Sequence, residues 1–282
     1  MATLESDHAV DPPPNSWRLA DIFVPTILAV WKGSVGAAVV ALLYQLVHWS
    51  GLVDPRIVPS VTSILAEMAH LAGSHTFVGA VLRTLGPALT GLALASCIAI
   101  PLGLFLGVSP LANRASRGLI DMMRSLPGTA LIPVFIFTVG VGTGMKVGLV
   151  LYVTAWPILF NTIYGIASVD KMAIESARSW RVNGVRLWRQ VMLPSAAPFI
   201  VTGVRYALPI SVVIVISAEI VIGSPEGIGG YLLTQQANVE YRPHVIYAVL
   251  LSAGVVGFLL NAIADAIADR LVGWEMRKGE PA

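Results

Sequence analysis

The chain has 282 residues, of which 56% are hydrophobic and 12% are charged, and its formal net charge is +2. Globular domains carry about 25% charged residues, so this composition excludes a water-soluble domain. The small net charge also excludes a nucleic-acid-binding protein that relies on a strongly basic surface. The composition instead predicts an all-α integral membrane protein.

The chain begins with an acidic, proline-rich stretch, which we interpret as a disordered tail over residues 1–21. This stretch lacks the basic region and apolar core of a cleavable signal peptide, so we expect it to stay in the cytoplasm. The apolar stretch at 22–49 is interrupted by Lys32. It predicts a leading segment near the membrane surface, followed by a span at 34–49.

Five further apolar stretches are long enough to cross a bilayer, which requires about 20 residues in a helix. They cover residues 84–108, 126–144, 146–168, 197–222 and 244–272. With the first span they predict about six transmembrane helices, a permease domain over 22–274 and a cytoplasmic tail at 275–282. In the external segment at 51–78, apolar residues at helical spacing from Ser60 to Ala72 predict a short interfacial helix.

The lysines and arginines set the expected orientation, because cytoplasmic loops carry an excess of them. With six spans and an internal N-terminus, thirteen fall on the cytoplasmic side and three on the external side. The cytoplasmic set is Arg18, Lys32, Arg114, Arg117, Arg124, Lys171, Arg178, Arg181, Arg186, Arg189, Arg270, Arg277 and Lys278, and the external set is Arg56, Lys146 and Arg242. Both termini and the polar loop at 169–194 are therefore predicted to be cytoplasmic.

Within this loop, the stretch from Glu175 to Pro194 is polar and basic. Asn183 and Gly184 favour a tight turn, and proline cannot continue a helix. The pattern predicts two short helices, hinged near Asn183-Gly184 and stopped at Leu193-Pro194. We expect Glu175 to lie near a helix N-terminus, where the helix dipole favours it. Four arginines would give the loop a basic rim for an acidic partner: Arg178, Arg181, Arg186 and Arg189.

The loop resembles the EAA loop of ATP-binding cassette importer membrane subunits, in which a Glu-Ala-Ala helix precedes a second helix that ends in Leu-Pro. The matching residues are Glu175-Ser176-Ala177 and Leu193-Pro194. The resemblance covers roughly residues 41–274 and is closest to sulfonate, taurine and nitrate permeases. Further matches are Val58-Pro59-Ser60, Pro101-Leu102-Gly103 with Gly107, Pro157 to Thr162, Ala218-Glu219 and Gly227 to Leu232. One departure is Arg181, where the family has glycine, so the turn is expected to shift toward Gly184.

The resemblance implies a type I importer permease fold with a cytoplasmic coupling-helix loop, in a bacterial cytoplasmic membrane. It implies that the loop docks on a cytoplasmic ATPase dimer, which binds ATP and Mg²⁺, and that no cofactor binds this chain. It also implies an extracytoplasmic solute-binding protein and a second copy of the chain as partners. The substrates of such permeases include sulfonates, nitrate, bicarbonate, pyrimidine precursors and aromatic acids, so the resemblance favours a small anion such as a sulfonate, nitrate or a carboxylate.

Several polar residues inside the spans leave two interpretations open. Glu219 is either a pathway or gate residue, or a structural hydrogen-bond partner of a neighbouring helix. Arg83 and Arg205 either bind an anionic substrate or reach to the membrane interface, and Asn161 and Thr162 either line a path or pair between helices. Asp265 and Asp269 are expected to be solvated or paired with Arg270. The five histidines show no metal-ligand spacing, so no metal site is predicted.

The chain has no G-x-x-x-x-G-K-[ST] phosphate loop, so we expect ATP hydrolysis to occur in a partner. The alternative from another class is a self-sufficient ion- or proton-coupled carrier. It would need an internal repeat and charged residues near the midplane, and only Glu219 approaches such a position. A membrane enzyme is disfavoured, because no cluster of titratable groups converges in the spans.

Overall fold

The structure is a computed structural model that describes residues 35–51, 53–54, 57–237 and 242–276. The expectations for residues 1–34 and 277–282 lie outside these ranges. The chain divides into two compact units, one up to Val61 and one from Thr62 onward. In the first unit, helix α1 (Val35–Trp49) contacts the last residue of the unit, because the Val61 amide donates to Gln45 Oε1 at 2.8 Å.

All regular structure in the described ranges is helical, which confirms the predicted fold class. The helices after α1 are α2 (Val61–Gly73), α3 (His75–Val108), α4 (Pro110–Arg124), α5 (Ile132–Val139), α6 (Thr143–Ala167), α7 (Lys171–Ser179), α8 (Val185–Leu187), α9 (Leu193–Val221), α10 (Gly227–Ala237) and α11 (Pro243–Met276). A 3₁₀ turn (Gly128–Leu131) precedes α5, and a π turn (Trp188–Met192) joins α8 to α9.

Among the described residues, four helical stretches are long and apolar enough to cross a membrane: α3, α6, Val185–Val221 and α11. The predicted span at 126–144 is wrong. There the chain bends by 81° between α4 and the Gly128–Val139 stretch, which together make at most a broken fifth span. The described part of α1 adds 15 residues at the position of the predicted first span.

The bend after α4 has an identifiable cause. Pro127 cannot donate a backbone hydrogen bond, and α4 ends before it, at Arg124. The Tyr152 hydroxyl of α6 donates to the Met123 carbonyl at 2.8 Å, which satisfies one acceptor at the end of α4. Gly128 lies so close to Val153 that a Cβ atom there would sit 2.6 Å from the valine Cγ2. The corner is therefore fixed against α6.

Glycines in α3 let side chains of α6 pack directly against the α3 backbone along much of the length of the two helices. A Cβ atom at Gly91, Gly103 or Gly107 would lie within 2.7 Å of a Cβ atom on α6, belonging in turn to Val150, Thr162 and Ile166. Gly103 and Gly107 form a small-xxx-small pair, the arrangement that allows close approach of membrane helices. α6 packs on α9 in the same way, through Gly165 against Phe199 and Gly203 against Asn161.

We predict that Gly103→Val destabilises the chain by about 1–3 kcal/mol, because overpacking forces the α3 and α6 backbones apart. Gly86, on the same helix, has nothing within 4 Å of a Cβ atom, so Gly86→Val is the matched control. Thermal unfolding in detergent measures both variants. A melting temperature of Gly103→Val equal to that of the control would contradict the proposed close contact.

Candidate functional site

The segment at 169–194 begins with a capped helix. The Asp170 side chain accepts a hydrogen bond from the Met172 amide at 2.9 Å, which makes Asp170 the N-cap of α7. Glu175 is the fifth residue of this nine-residue helix. The expectation that Glu175 lies near the helix N-terminus is therefore wrong, and Asp170 fills that position. Glu175 and Ser176 are exposed and Ala177 is half-buried.

The turn after α7 is a Schellman motif. The Val182 amide bonds the Ala177 carbonyl and the Arg181 amide bonds the Arg178 carbonyl, each at 2.9 Å. Arg181 occupies the left-handed position of this motif with φ 58°, where glycine is usual because it has no Cβ atom. The sequence had led us to expect that the turn shifts toward Gly184, and this expectation is wrong. Arg181 itself adopts the left-handed conformation.

A second left-handed residue follows before the chain becomes helical again. Gly184 also has φ 58°, and α8 begins at Val185. Asn183 and Gly184 thus lie in the connection between the two helices, over residues 180–184. Two residues in this connection, Arg181 and Gly184, have positive φ.

The predicted stop at Leu193-Pro194 is wrong, because the helix runs without interruption from Val185 to Val221. Proline at position 194 lacks an amide hydrogen and would leave a carbonyl of the preceding turn without its helical partner. The π turn at Trp188–Met192 widens the helix one residue before Leu193-Pro194, and such turns accommodate local disruptions of α-helices. The segment is therefore joined rigidly to α9.

The exposed surface of the segment combines charge with apolar side chains. All four arginines of the predicted basic rim are exposed. Beside them Met172, Trp180 and Val185 are 73%, 84% and 82% exposed. An exposed tryptophan flanked by arginines is typical of the buried core of a protein interface. Sequence reasoning missed these three apolar residues, although Trp180 next to the predicted hinge was a visible signal.

Glu219 lies at the centre of a fully buried hydrogen-bond network. Its Oε1 lies 2.9 Å from Lys146 Nζ of α6, and its Oε2 accepts from the Thr84 hydroxyl of α3 at 3.0 Å. Oε2 also accepts from the Gly229 amide at 3.0 Å, and Thr84 Oγ1 in turn accepts from the Ile228 amide at 2.9 Å. The carboxylate thus binds donors from α3, α6 and α10.

Three glycines make this arrangement possible. A Cβ atom at Gly227 would lie 2.1 Å from Glu219 Oε1, and one at Gly229 would lie 2.6 Å from Glu219 Cβ. A Cβ atom at Gly230 would lie 2.2 Å from the Ser224 carbonyl oxygen. The first turn of α10 can therefore sit on the carboxylate only without side chains. The amides of this turn carry the positive end of the helix dipole, which favours an anion.

Lys146 belongs to the external set of the charge count, and the structure shows it buried rather than exposed to solvent. It lies in the first turn of α6 with a side chain only 8% exposed, and it forms an ion pair with Glu219, which is 0% exposed. The geometry corresponds to the structural alternative for Glu219, while a pathway role stays a prediction. The sequence could have suggested the pair, because Lys146 opens one apolar span and Glu219 closes another.

Asn161 and Thr162 bond their own helix. Asn161 Nδ2 donates to the Pro157 carbonyl and Thr162 Oγ1 donates to the Ile158 carbonyl, at 2.8 and 2.7 Å. Thr162 is fully buried against Gly103. Both contacts correspond to the packing alternative, and a pathway role stays a prediction.

Arg205 of α9 faces α11 rather than extending alone to an interface. Its Nη2 lies 2.5 Å from Asp265 Oδ1, an ion pair with both side chains about one third exposed. Asp265 was expected to be solvated or paired with Arg270, and its partner is Arg205 instead. Asp265 Oδ1 accepts no hydrogen bond, so its contact with Arg205 is chiefly electrostatic. Beside it a groove of about 690 Å³ runs between α9 and α11, with Tyr206, Phe258 and Asn261 among its walls.

No group of three or more His, Cys, Asp or Glu side chains that could hold a metal ion occurs among the described residues.

Residues 99–274 match the family model of the binding-protein-dependent transport system inner membrane component. The chain is 32% identical over 262 residues to SsuC of Escherichia coli K12, a protein named for aliphatic sulfonates transport, and covers 92% of each chain. It is 28% identical to the taurine transport system permease protein TauC of the same organism, covering 86% of this chain and 89% of that one.

A solved structure of the MetNI methionine ABC transporter in an inward-facing conformation has a similar fold. The TM-score is 0.59 at 22% identity, covering 70% of this chain and 96% of that chain. At this level of identity the likeness concerns the fold alone.

We predict that Glu219→Ala destabilises the chain by about 3–5 kcal/mol, because it leaves a buried lysine without a counter-charge. Glu219→Gln and Lys146→Met are made singly and together, and the double variant, which removes both charges, is expected to lose less stability than the sum of the two single losses. Thermal unfolding in detergent of the single and double variants measures this coupling. Additive losses would contradict a direct interaction between the two side chains.

We predict that Arg181→Gly stabilises the turn by about 1 kcal/mol, because glycine adopts a left-handed conformation without steric cost. Arg178→Gly removes the same charge type from inside α7 and is expected to destabilise it by about 1 kcal/mol. Hydrogen exchange of the α7 amides distinguishes the two variants. Equal loss of protection in both would show that position 181 is not left-handed in solution.

Proposed function

Because the chain belongs to the family of binding-protein-dependent transport system inner membrane components, we propose that it forms the translocation pathway for a small anion and couples to a separate ATPase through the segment at 169–194. As an ABC importer permease the chain is a transporter subunit and not itself an enzyme. Its sequence contains no phosphate loop, so the proposal assigns binding of ATP and Mg²⁺ to that partner.

The observation that carries the coupling proposal is the exposed apolar surface of this segment. Met172, Trp180 and Val185 project into solvent beside arginines. Burial of such side chains in a partner releases free energy in proportion to the apolar area, while the arginines favour an acidic groove. Because Val185–Val221 is one helix, a push on the segment would move α9 directly. ATP binding would thus shift the chain between inward-facing and outward-facing states.

The remaining parts of the proposal concern orientation and assembly. We place both termini and the 169–194 segment in the cytoplasm, on the distribution of lysine and arginine. The turn before α10 then lies on the external side, where a solute-binding protein would deliver the substrate. The groove beside Arg205 has walls only from α9 and α11, and a second copy of the chain would complete it.

An anionic substrate is supported by two arguments. Relatives are named for aliphatic sulfonates and taurine, both of which carry a sulfonate group. In this chain, Arg83 and Arg205 present guanidinium groups at partly exposed positions, and guanidinium groups bind oxyanions through paired donors. A self-sufficient ion-coupled carrier is not favoured by the family match.

We predict that a tagged wild-type chain, extracted in detergent, co-purifies with an ATPase subunit, and that Glu175→Lys or Trp180→Ser abolishes this. The first change reverses a charge at the contact and the second removes its largest apolar side chain. Asp121→Lys is the control, because it reverses another exposed carboxylate outside the segment.

Loss of the ATPase in all three variants would point to misfolding and is checked by size-exclusion chromatography. Wild-type chain that transports solute without any ATPase would overturn the proposal in favour of the ion-coupled carrier.

A further inference from the structure

A second cavity, of about 530 Å³, opens between the first turns of α3 and the region where α9 leads into α10. Its walls include His75, Thr76, Arg83, Glu226, Tyr231 and Thr234. Its volume is within the range of about 300–1,000 Å³ that is typical of small-molecule sites. It lies at the same end of the helices as the Glu219 network, since Glu226 and Gly227 line it.

On the predicted span at 84–108, the cavity is expected to lie outside the apolar core of the membrane. α3 has 34 residues and is therefore about 51 Å long, whereas the hydrocarbon core is about 30 Å thick. The first apolar run of α3 was predicted from residue 84, directly after Arg83. Water and small solutes can thus reach the arginine from the side that we propose to be external.

Arg83 and Glu226 form an ion pair that another anion can replace. Arg83 Nη1 lies 3.0 Å from Glu226 Oε1, and the two side chains are 61% and 59% exposed. Exposed pairs of this kind contribute little stability, since water solvates both partners well when they separate. An oxyanion that offers two or three oxygens can form a bidentate contact with the guanidinium, which a single oxygen of Glu226 does not match.

The wall behind this pair is rigid. The first turn of α10 is held by Glu219 through the Gly229 amide and by Thr84 through the Ile228 amide. Tyr231 packs edge-on against the Phe77 ring, with centroids 5.3 Å apart. Burial, and to a lesser degree the nearby Glu67 carboxylate, raises the pKa of Tyr231 above its ordinary value. Its hydroxyl therefore keeps its proton and remains a donor for an anion.

We propose that this cavity is a receiving site for a small oxyanion of the sulfonate class, with Arg83 as the binding cation and Glu226 as the carboxylate that the anion displaces. The inference rests on the proposed function for the direction of transport and the charge of the substrate. When the site is empty, Glu226 holds Arg83 in place and competes with anions for it. Only an anion that binds Arg83 more strongly than Glu226 does is therefore expected to occupy the site.

The two members of the pair make opposite contributions, which gives a sharp test. The full-length chain in lipid nanodiscs is titrated with sodium ethanesulfonate at constant ionic strength, and the dissociation constant is measured calorimetrically. Glu226→Gln removes the competing carboxylate and is expected to tighten binding by about three- to tenfold. Arg83→Gln removes the cation and is expected to weaken binding by about tenfold or more. The double variant is expected to behave like Arg83→Gln.

The matched control is Arg124→Gln, because Arg124 forms a comparably exposed pair with Asp121 at 3.1 Å. Its dissociation constant is expected to equal that of the wild type. Thermal unfolding without ethanesulfonate confirms that each variant is folded. Changes of the same sign in Arg83→Gln and Glu226→Gln, or no binding by Glu226→Gln, would overturn the site.

The ATPase is absent from this titration, so its outcome is separate from that of the co-purification experiment. If ethanesulfonate does not bind in the titration but the ATPase still co-purifies with the chain, the receiving site is overturned and the importer proposal stays intact. Binding of ethanesulfonate in the titration, together with no ATPase recovered in the co-purification experiment, would leave the site intact and overturn the coupling proposal.

Discussion

A carboxylate that is shut off from water must find donors within the protein, and Glu219 finds them on three other helices. Each unsatisfied oxygen in an apolar interior costs several kcal/mol, so Lys146, Thr84 and the first turn of α10 cannot move away from it independently. The network therefore fixes α3, α6, α9 and α10 relative to one another at one end. At the other end, the exposed segment at 169–194 is attached to α9 and is available to a partner.

The same carboxylate explains why the polar and glycine-rich parts of the sequence belong together. Ala218-Glu219 and Gly227-Ile228-Gly229-Gly230 are separated in the chain but form one contact, in which the glycines let the amides reach the carboxylate. Glycines have a comparable effect along α3, where the absence of a side chain at Gly103 lets Thr162 approach the α3 backbone closely. In both places the absence of a side chain determines how closely two elements approach, and hence where neighbouring polar groups can meet.

Hydropathy predicted most of the helices because bilayer thickness sets the length of an apolar span, and α6 and α11 lie close to their predicted limits. It could not predict which helix faces meet. Lys146 and Glu219 are 73 residues apart and Thr84 and Glu219 are 135 apart, and local periodicity contains no information on such pairs. Local rules also failed where the backbone departs from them, as at Arg181 in a left-handed conformation and at the π turn before Pro194.

Three ion pairs join different helices or loops in the described part of the chain. They differ in exposure, and exposure determines what each can do. Lys146–Glu219 is buried, so separating its partners would leave charges without solvent, and it is suited to holding helices together. Arg83–Glu226 is more than half exposed and its partners separate at little cost in free energy, so an anionic solute can displace Glu226 from Arg83. Arg205–Asp265 is intermediate and borders the groove between α9 and α11. A permease needs both kinds of pair, because a fixed frame must surround a site whose contacts exchange with the solute.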